Sequence, residues 1–476
     1  MRIGLLKIAL FALVIAAPVA ALSFGVVKPY GQTSEHPKFP ALKKLATGQG
    51  KVFDSLGEAI LHRSAVTVEV IRLRSAIGYQ RTHFVDIASI VSGRDDWLFY
   101  KGDFRACYDE ADTSAALAQL DVLTDLAKSS GLDMTVSISP DKSVIYPEYL
   151  HPLAKYYWAC KAVARRTLDD RIKIDAPRVV DHAQVLLAER AQHPDRKLYY
   201  ETDTHWTPYG AALAFRQLMA ALNPSKPYAA LPPPHPTGGL LKHVTDMTVT
   251  LMVPREETAD ELDRETEARV AAIDAGSSHL KTVVLRDSFY EYLLGELEGA
   301  LHYKVFHLEL DQDKYPAEIA TADRLIVNSI ERFFIRRILK DELSWDALLA
   351  KAILTRNMSA AEKCTDYAAV TATPAKNGPL QLTVGLRRND ASEICLRLTL
   401  DSDAAGQVLV SLPMKQGEGS AFEPGRLVPM PIAGGQQTIG LILPGYLCGK
   451  DLRIDLGAKA KIKLQEIEIG QIGGAL

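Results

Sequence analysis

Between residues 113 and 330 the chain alternates short, β-branched apolar runs with helix-length amphipathic stretches. "LDMTVSISP" follows "TSAALAQLDVLTDLAKSSG". "HLKTVVLRDSF", "YKVFHLEL" and "DRLIVNSIE" come after or between further helical patterns such as "PYGAALAFRQLMAALNP" and "YEYLLGELEGAL". A run that is apolar at every position has no solvent face, so it needs strand neighbours on both edges and helices on both faces. That combination predicts an α/β fold with a parallel sheet flanked by helices. The first helix has Thr113 or Ser114 as its cap, Leu117, Leu120 and Leu123 along one face, and Gly131 just past its end.

The pattern changes after residue 375. "LQLTVGLRR", "EICLRLTLD", "GQVLVSLP", "QTIGLILPG", "LRIDLG" and "KIKLQEIEIG" are short strands broken by Gly, Pro, Asn and Asp. This spacing predicts a C-terminal all-β sandwich domain. A chain of 476 residues exceeds one ordinary core. The expected units are an N-terminal segment (1–30), a linker and helical lead-in (31–89), an α/β domain (90–345), a connector (346–375) and the sandwich (376–476). "VPREETADELDRETEARVAAIDAGSS" reads as a charged, peripheral insertion whose DELDRETEAR portion is a solvated helix face.

The N-terminus carries Arg2 and Lys7 before an apolar run from Ile8 to Val27. A run of about 20 apolar residues spans a bilayer as a helix, and the positive flank stays inside, so the remainder is exported. Two readings stand: "APVAALS" offers the small residues of a cleaved signal peptide, and the length of the run suits an uncleaved anchor in the inner membrane. Either places the chain in the periplasm. Five cysteines suit an exported protein, and no CxxC occurs, which removes zinc-ribbon and thioredoxin-like readings. The expected pairs are Cys107–Cys160 and Cys364–Cys448, with Cys395 buried in a strand as a small hydrophobe. A formal net charge of −3 without a Lys/Arg run gives no nucleic-acid signal. No HExxH, P-loop or dinucleotide-binding glycine pattern occurs, so no metal and no cofactor is expected.

Two stretches carry chemistry. In "YYETDTHWTPYG", Thr207 and Pro208 form a helix start. Asp203 and His205 therefore lie in the loop before it, and in an extended segment they point to the same side. A carboxylate there holds one imidazole nitrogen, which leaves the other as a base. The structural alternative is a capping Asp beside a surface His. In "TVVLRDSFYEYLLGEL", Thr282–Leu285 reads as a buried strand and a helix begins at Phe289, so Ser288 sits at the carboxyl edge of the sheet, where open α/β folds bind ligands. The helix N-terminus would aim N–H groups at an oxyanion. Alone, Ser288 reads better as an N-cap than as a nucleophile; nucleophile, base and orienting group together read as acyl-transfer chemistry.

Lesser candidates are Lys142 and Tyr146, placed after a strand where they would face the cleft and bind substrate. Trp206 is a candidate sugar platform beside His205, and Asn328 a candidate oxyanion donor at a strand end. Trp97, Tyr100 and Arg332 suit structural roles better.

"RDSF" and "DTHWT", with "GRDDWLFY" and "SPDKSVIYPEYL" upstream and "NSIER" downstream, resemble the AlgX/AlgJ branch of the SGNH-hydrolase-like proteins, over residues 90 to 335. That branch serves O-acetylation of bacterial exopolysaccharides, typified by alginate. The resemblance implies Ser288 as nucleophile, His205 as general base and Asp203 as orienting carboxylate. It also implies a polysaccharide acceptor, a membrane-bound O-acyltransferase as acetyl donor, other exopolysaccharide export proteins as partners, and a carbohydrate-binding role for the sandwich. The usual Gly-Asp-Ser turn of SGNH enzymes is Arg286-Asp287-Ser288 in this chain. The expected activity is serine-dependent O-acetyl transfer; an acetyl esterase with the same triad and a non-catalytic polysaccharide-binding scaffold are the alternatives.

Overall fold

A computed structural model describes residues 73, 77, 89–104, 108–175, 179–222, 234, 236–250, 255–262, 280–291, 301–339, 347–374, 381–385, 393–413, 426–456 and 461–472. The apolar N-terminal segment, nearly all of the expected linker and helical lead-in (31–89) and Cys107 lie outside these residues. Among the described residues, no helix is long and apolar enough to cross a membrane.

The elements run as follows: β1 Ile90–Ser92, β2 Leu98–Tyr100, α1 Glu110–Ser129, β3 Asp133–Ser139, α2 Lys142–Ile145, α3 Pro152–Asp175, β4 Val179–Asp181, α4 Ala183–Gln192, α5 Pro208–Leu222, β5 Pro236–Val244, α6 Asp246–Thr250, β6 Glu256–Leu262, β7 Thr282–Arg286, β8 Tyr303–His307, α7 Tyr315–Ile319, β9 Arg324–Ile330, α8 Glu331–Leu339 and α9 Ala347–Ala361, then β10 Cys364–Ala369, β11 Ala372–Pro374, β12 Gln381–Gly385, β13 Glu393–Ser402, β14 Gly406–Ser411, β15 Leu427–Ile432, β16 Gly435–Pro444, β17 Asp451–Asp455 and β18 Ile462–Ile472.

The predicted parallel sheet is present, in the order β4-β3-β9-β7-β8. Every residue of β9 is buried, as is nearly all of β3 and β7, so these strands show no alternation between a core face and a solvent face. Helix α1 starts earlier than expected. Asp109 is its cap, accepting from the Asp112 amide at 2.8 Å, while Thr113 lies inside the first turn and donates back to the Asp109 carbonyl. Gly131 ends the helix at φ +72°, as the sequence indicated.

The sandwich is made of antiparallel sheets β10-β18-β13-β16 and β11-β12-β17-β14-β15. The inward residues alternate along β13 (Ile394, Leu396, Leu398, Leu400) and β14 (Val408, Val410). The stretch read as a connector contains α9 and the first two sandwich strands. Helices α1 and α9 share one apolar core with both layers. Buried Asn357 of α9 fastens the junction: its side chain exchanges hydrogen bonds with the backbone of Ile442 and donates to the Leu126 carbonyl.

One cysteine expectation is corrected. Cys364 pairs with Cys395, not Cys448. Cys364 opens β10 and Cys395 lies in β13 of the same sheet, with Cα atoms 6.2 Å apart, within disulfide range. Cys395 is fully buried in a strand, as expected, but as half of a bridge. Cys160 is disulfide-bonded; its expected partner, Cys107, is outside the described residues.

The charged insertion is also corrected. Its described part, Glu256–Leu262, is a strand paired antiparallel with β5, and Val244 and His243 face Glu256 and Glu257 across the ladder. The hairpin is not peripheral, because its base packs into the site.

Candidate active site

Ser288 follows β7 at the carboxyl edge of the sheet and is exposed. The turn before it is held by Asp287, which accepts from the Phe289 amide at 3.1 Å and from the Ile330 amide of β9 at 2.6 Å. The helix expected from Phe289 opens with a 3₁₀ turn, Ser288–Tyr290, and Glu291 is helical; the remainder lies outside the described residues.

The segment from Leu198 to Thr207 folds back on itself. Thr207 donates its amide to the Leu198 carbonyl, and Tyr199 bridges to Trp206. Thr207 caps α5 through its hydroxyl, as predicted, accepting from the Gly210 amide at 3.3 Å. Gly210 permits the fold-back: a Cβ there would stand 2.3 Å from the Leu198 carbonyl oxygen. The loop tip then carries Asp203 and His205 toward Ser288. The His205 Nδ1 is 2.7 Å from Asp203 Oδ1, and its Nε2 is 3.1 Å from Ser288 Oγ. The three residues singled out in the sequence are thus brought together in one hydrogen-bonded line.

Asp203 is buried and accepts four hydrogen bonds. Oδ1 takes the His205 amide and imidazole; Oδ2 takes His243 Nε2 at 2.8 Å and the Asp246 amide at 2.7 Å. Burial alone would raise its pKa, but the donors from His205 and His243 outweigh it and hold the carboxyl far below the usual range. Asp203 is therefore an anion at any working pH. The same charge acts on its neighbours. Asp246 is pushed up by burial and by Asp203; His243 is pushed up by its hydrogen bond to Asp203.

His243, Asp246 and Glu257 were not legible as site residues. The Glu257 carboxylate accepts from the Glu201 amide at 2.8 Å, the Thr202 amide at 2.7 Å and the Thr202 hydroxyl. Asp246 accepts from the Thr204 amide and hydroxyl. No local signal marks them: only the register of the β5–β6 hairpin sets His243 against Glu257.

The four lesser candidates are corrected from substrate contact to positioning, because each is buried. Lys142 donates to the carbonyls of Tyr200 (3.1 Å), Glu201 (2.8 Å) and Asp203 (2.6 Å), and burial lowers its pKa to about 8. The Tyr146 hydroxyl accepts from the Leu198 amide. Trp206 donates its indole N–H to the Phe289 carbonyl at 3.1 Å, tying the loop of His205 to the turn of Ser288. Asn328 is buried, and its Nδ2 donates to Ser137 and Ser139 on β3. Trp97 is buried, and Arg332 is paired with Asp103 and Asp141 beneath the site while its guanidinium lies over the Phe289 ring.

Donor atoms of Asp203, His205 and Asp246 lie within 4.8 Å of one another. Both Asp203 oxygens are already occupied by N–H donors, and the His205 nitrogens address Asp203 and Ser288, so the cluster reads as a hydrogen-bond network.

Residues 90–282 match the family "SGNH hydrolase-like domain, acetyltransferase AlgX". Among curated proteins, the probable alginate O-acetylase AlgJ of Pseudomonas fluorescens is 25% identical over 139 residues, covering 29% of this chain and 34% of that protein. The counterpart in Pseudomonas syringae pv. tomato is 28% identical over 145 residues, covering 30% and 36%. The matches thus span about a third of these relatives' length. Among solved structures, Pseudomonas aeruginosa AlgX is 15% identical, with a TM-score of 0.36 over 81% of this chain and 94% of that one. Over residues 90–282 the chain is thus similar to the SGNH hydrolase-like domain of AlgX, and over shorter stretches to AlgJ.

Proposed function

We propose that the chain is a serine-dependent O-acetyltransferase that acetylates hydroxyls of a secreted bacterial polysaccharide. The observation that carries this reading is the line Asp203–His205–Ser288, with the base 3.1 Å from an exposed hydroxyl. His205 Nε2 takes the Ser288 proton as Oγ attacks the acetyl carbonyl. The tetrahedral adduct collapses to acetyl-Ser288, and the leaving oxygen departs with the proton held by His205. A sugar hydroxyl then attacks the ester and gives its proton to His205, and Ser288 is released by taking that proton back. Asp203 stays ionised, holds the tautomer and stabilises the transient imidazolium.

The names of the curated relatives support an exopolysaccharide acceptor of the alginate kind. A periplasmic location, with the N-terminal segment cleaved or retained as an inner-membrane anchor, belongs to the same reading. So do a membrane-bound O-acyltransferase as donor and partners among export proteins. Solvent access to Ser288 favours one alternative, an acetyl esterase with water as acceptor.

Mass spectrometry after brief exposure to an activated acetyl ester separates these readings, with wild type compared to Ser288→Ala and an oligosaccharide panel present. Acetyl on Ser288 that moves to sugar faster than to water supports the transferase. Acetyl lost only to water supports the esterase. No Ser288-dependent adduct overturns both and leaves a polysaccharide-binding scaffold.

A further inference from the structure

We propose that Arg286 is a specificity-determining residue of this site, whose guanidinium binds a carboxylate of the acceptor sugar beside the hydroxyl that takes the acetyl group. This deepens the function proposed above and rests on it: the acceptor is a chain that contains uronic-acid units.

Arg286 closes β7, two residues before Ser288. Its Nη1 donates at 3.4 Å to the Asp287 carbonyl, which belongs to the peptide leading into Ser288. By covalent geometry that oxygen stands about 3 Å from the Ser288 Cα, so Nη1 lies within about 6 Å of it. The Arg286 side chain is 18% exposed and Ser288 is exposed, so solvent reaches both. A uronic-acid unit carries hydroxyls and a carboxylate on one pyranose ring. With a hydroxyl at Ser288, the carboxylate of the same or the next unit is within reach of this guanidinium.

The charge of Arg286 is weakly met by the protein. Nη1 also contacts the Glu291 carboxylate at 3.3 Å, which is long for a charge-assisted hydrogen bond, and Glu291 is 65% exposed. Surface pairs of this kind contribute little, and among the described residues it is the only ion pair that Arg286 makes. Other arginines around the site meet buried carboxylates instead: Arg165 meets Asp181 and Glu331, Arg332 meets Asp103 and Asp141, and Arg337 meets Asp287. The Arg286 Nε is buried without a hydrogen-bond partner, and Nη2 makes no contact among the described residues. A buried N–H left unpaired costs free energy. Nε and Nη2 form one edge of the guanidinium fork, which matches the two oxygens of a carboxylate. A sugar carboxylate laid along that edge satisfies both donors. It leaves Nη1 on the Asp287 carbonyl, so the turn that carries Ser288 keeps its shape. Glu291, on the surface, turns aside from the incoming charge.

The test uses the full-length protein, an activated acetyl ester as donor, and oligomers of mannuronate, guluronate, glucuronate and galacturonate, each beside its neutral methyl ester. Mass spectrometry counts the acetyl transferred to each member of a pair. Wild type is expected to favour at least one acid over its ester by about 10- to 100-fold, the scale of a charge-assisted pair. Arg286→Gln is expected to bring that ratio close to one; a general loss of activity cancels in the ratio. In wild type the Arg286 Nε–H resonance, identified by its loss in Arg286→Gln, is expected to shift with the preferred acid and not with its ester, a readout that needs no turnover. No preference in wild type for any acid, a preference that survives Arg286→Gln, or an Nε–H resonance indifferent to every acid overturns the proposal. If Ser288 is never acylated while that resonance still responds to an acid, the catalytic reading fails and the carboxylate site stands.

Discussion

His205 Nε2 lies 3.1 Å from Ser288 Oγ, although 83 residues separate them in the chain. Trp206 closes that distance from one side, since its indole N–H is bonded to the Phe289 carbonyl. His205 and Ser288 are thus each adjacent, in sequence, to a member of one buried hydrogen bond. A small error in either loop is transmitted directly to that pair.

Asp203→Asn retains the size of the side chain but removes the charge that fixes the His205 tautomer, and it sets an NH₂ group against N–H donors. Acylation of Ser288 by an activated acetyl ester is expected to fall by roughly 10⁴-fold, as it does when a triad carboxylate is neutralised. Single-turnover mass spectrometry measures it. A loss of less than about tenfold would mean that no base acts through this carboxylate.

Asp203, His205 and Ser288 were legible because local rules place them. A Thr-Pro helix start puts "DTH" in a loop, and a buried run followed by a helix start puts Ser288 at a sheet edge. The parallel sheet was legible for a similar reason: its strands are short, largely apolar runs separated by helical stretches. Lys142, Tyr146, Trp206 and Asn328 were placed near the site correctly but given the wrong role. Proximity follows from sequence order, whereas side-chain direction and burial follow from tertiary packing. His243, Asp246 and Glu257 were invisible because they act through a hairpin whose register no local signal fixes. The Cys364–Cys395 bridge depends on strand order within a sheet, which spacing does not encode.

Glu257→Gln tests whether the hairpin holds the loop that carries Asp203 and His205. One carboxylate now accepts both the Glu201 and Thr202 amides; an amide has a single oxygen and would turn N–H against N–H. Ser288 acylation is expected to drop about 100-fold, the scale of a displacement near 1 Å, while the far-ultraviolet circular dichroism spectrum is unchanged. Retained wild-type rates would show that Lys142, from the opposite side, suffices to hold the loop.

Asp103 gives a pH signature in stability. Burial first, and the charge of Asp141 second, raise its pKa from 3.8 to about 7, against the pull of Arg332. Between those values the folded protein holds a proton that the unfolded chain has released. The contribution of this group is therefore full below about pH 4 and is lost as pH rises through 7. Asp103→Asn keeps an oxygen for Arg332 and Ser143 but has no such dependence. The melting temperature of the variant relative to wild type is expected to rise between pH 4 and pH 8. A difference that is flat with pH would mean that Asp103 is ionised throughout.

Cys395→Ser tests what the bridge contributes to the sandwich. The disulfide closes a separation of 31 residues. Chain-entropy arguments give about 3–4 kcal/mol for a loop of that size. The serine also places a hydroxyl at a fully buried strand position, adding an unpaired polar group at about 1–3 kcal/mol. Helices α1 and α9 bury one continuous apolar core with both layers, so the loss is expected to lower a single cooperative transition in calorimetry. A separate, lower-temperature transition with unchanged Ser288 acylation would instead show that the sandwich unfolds on its own.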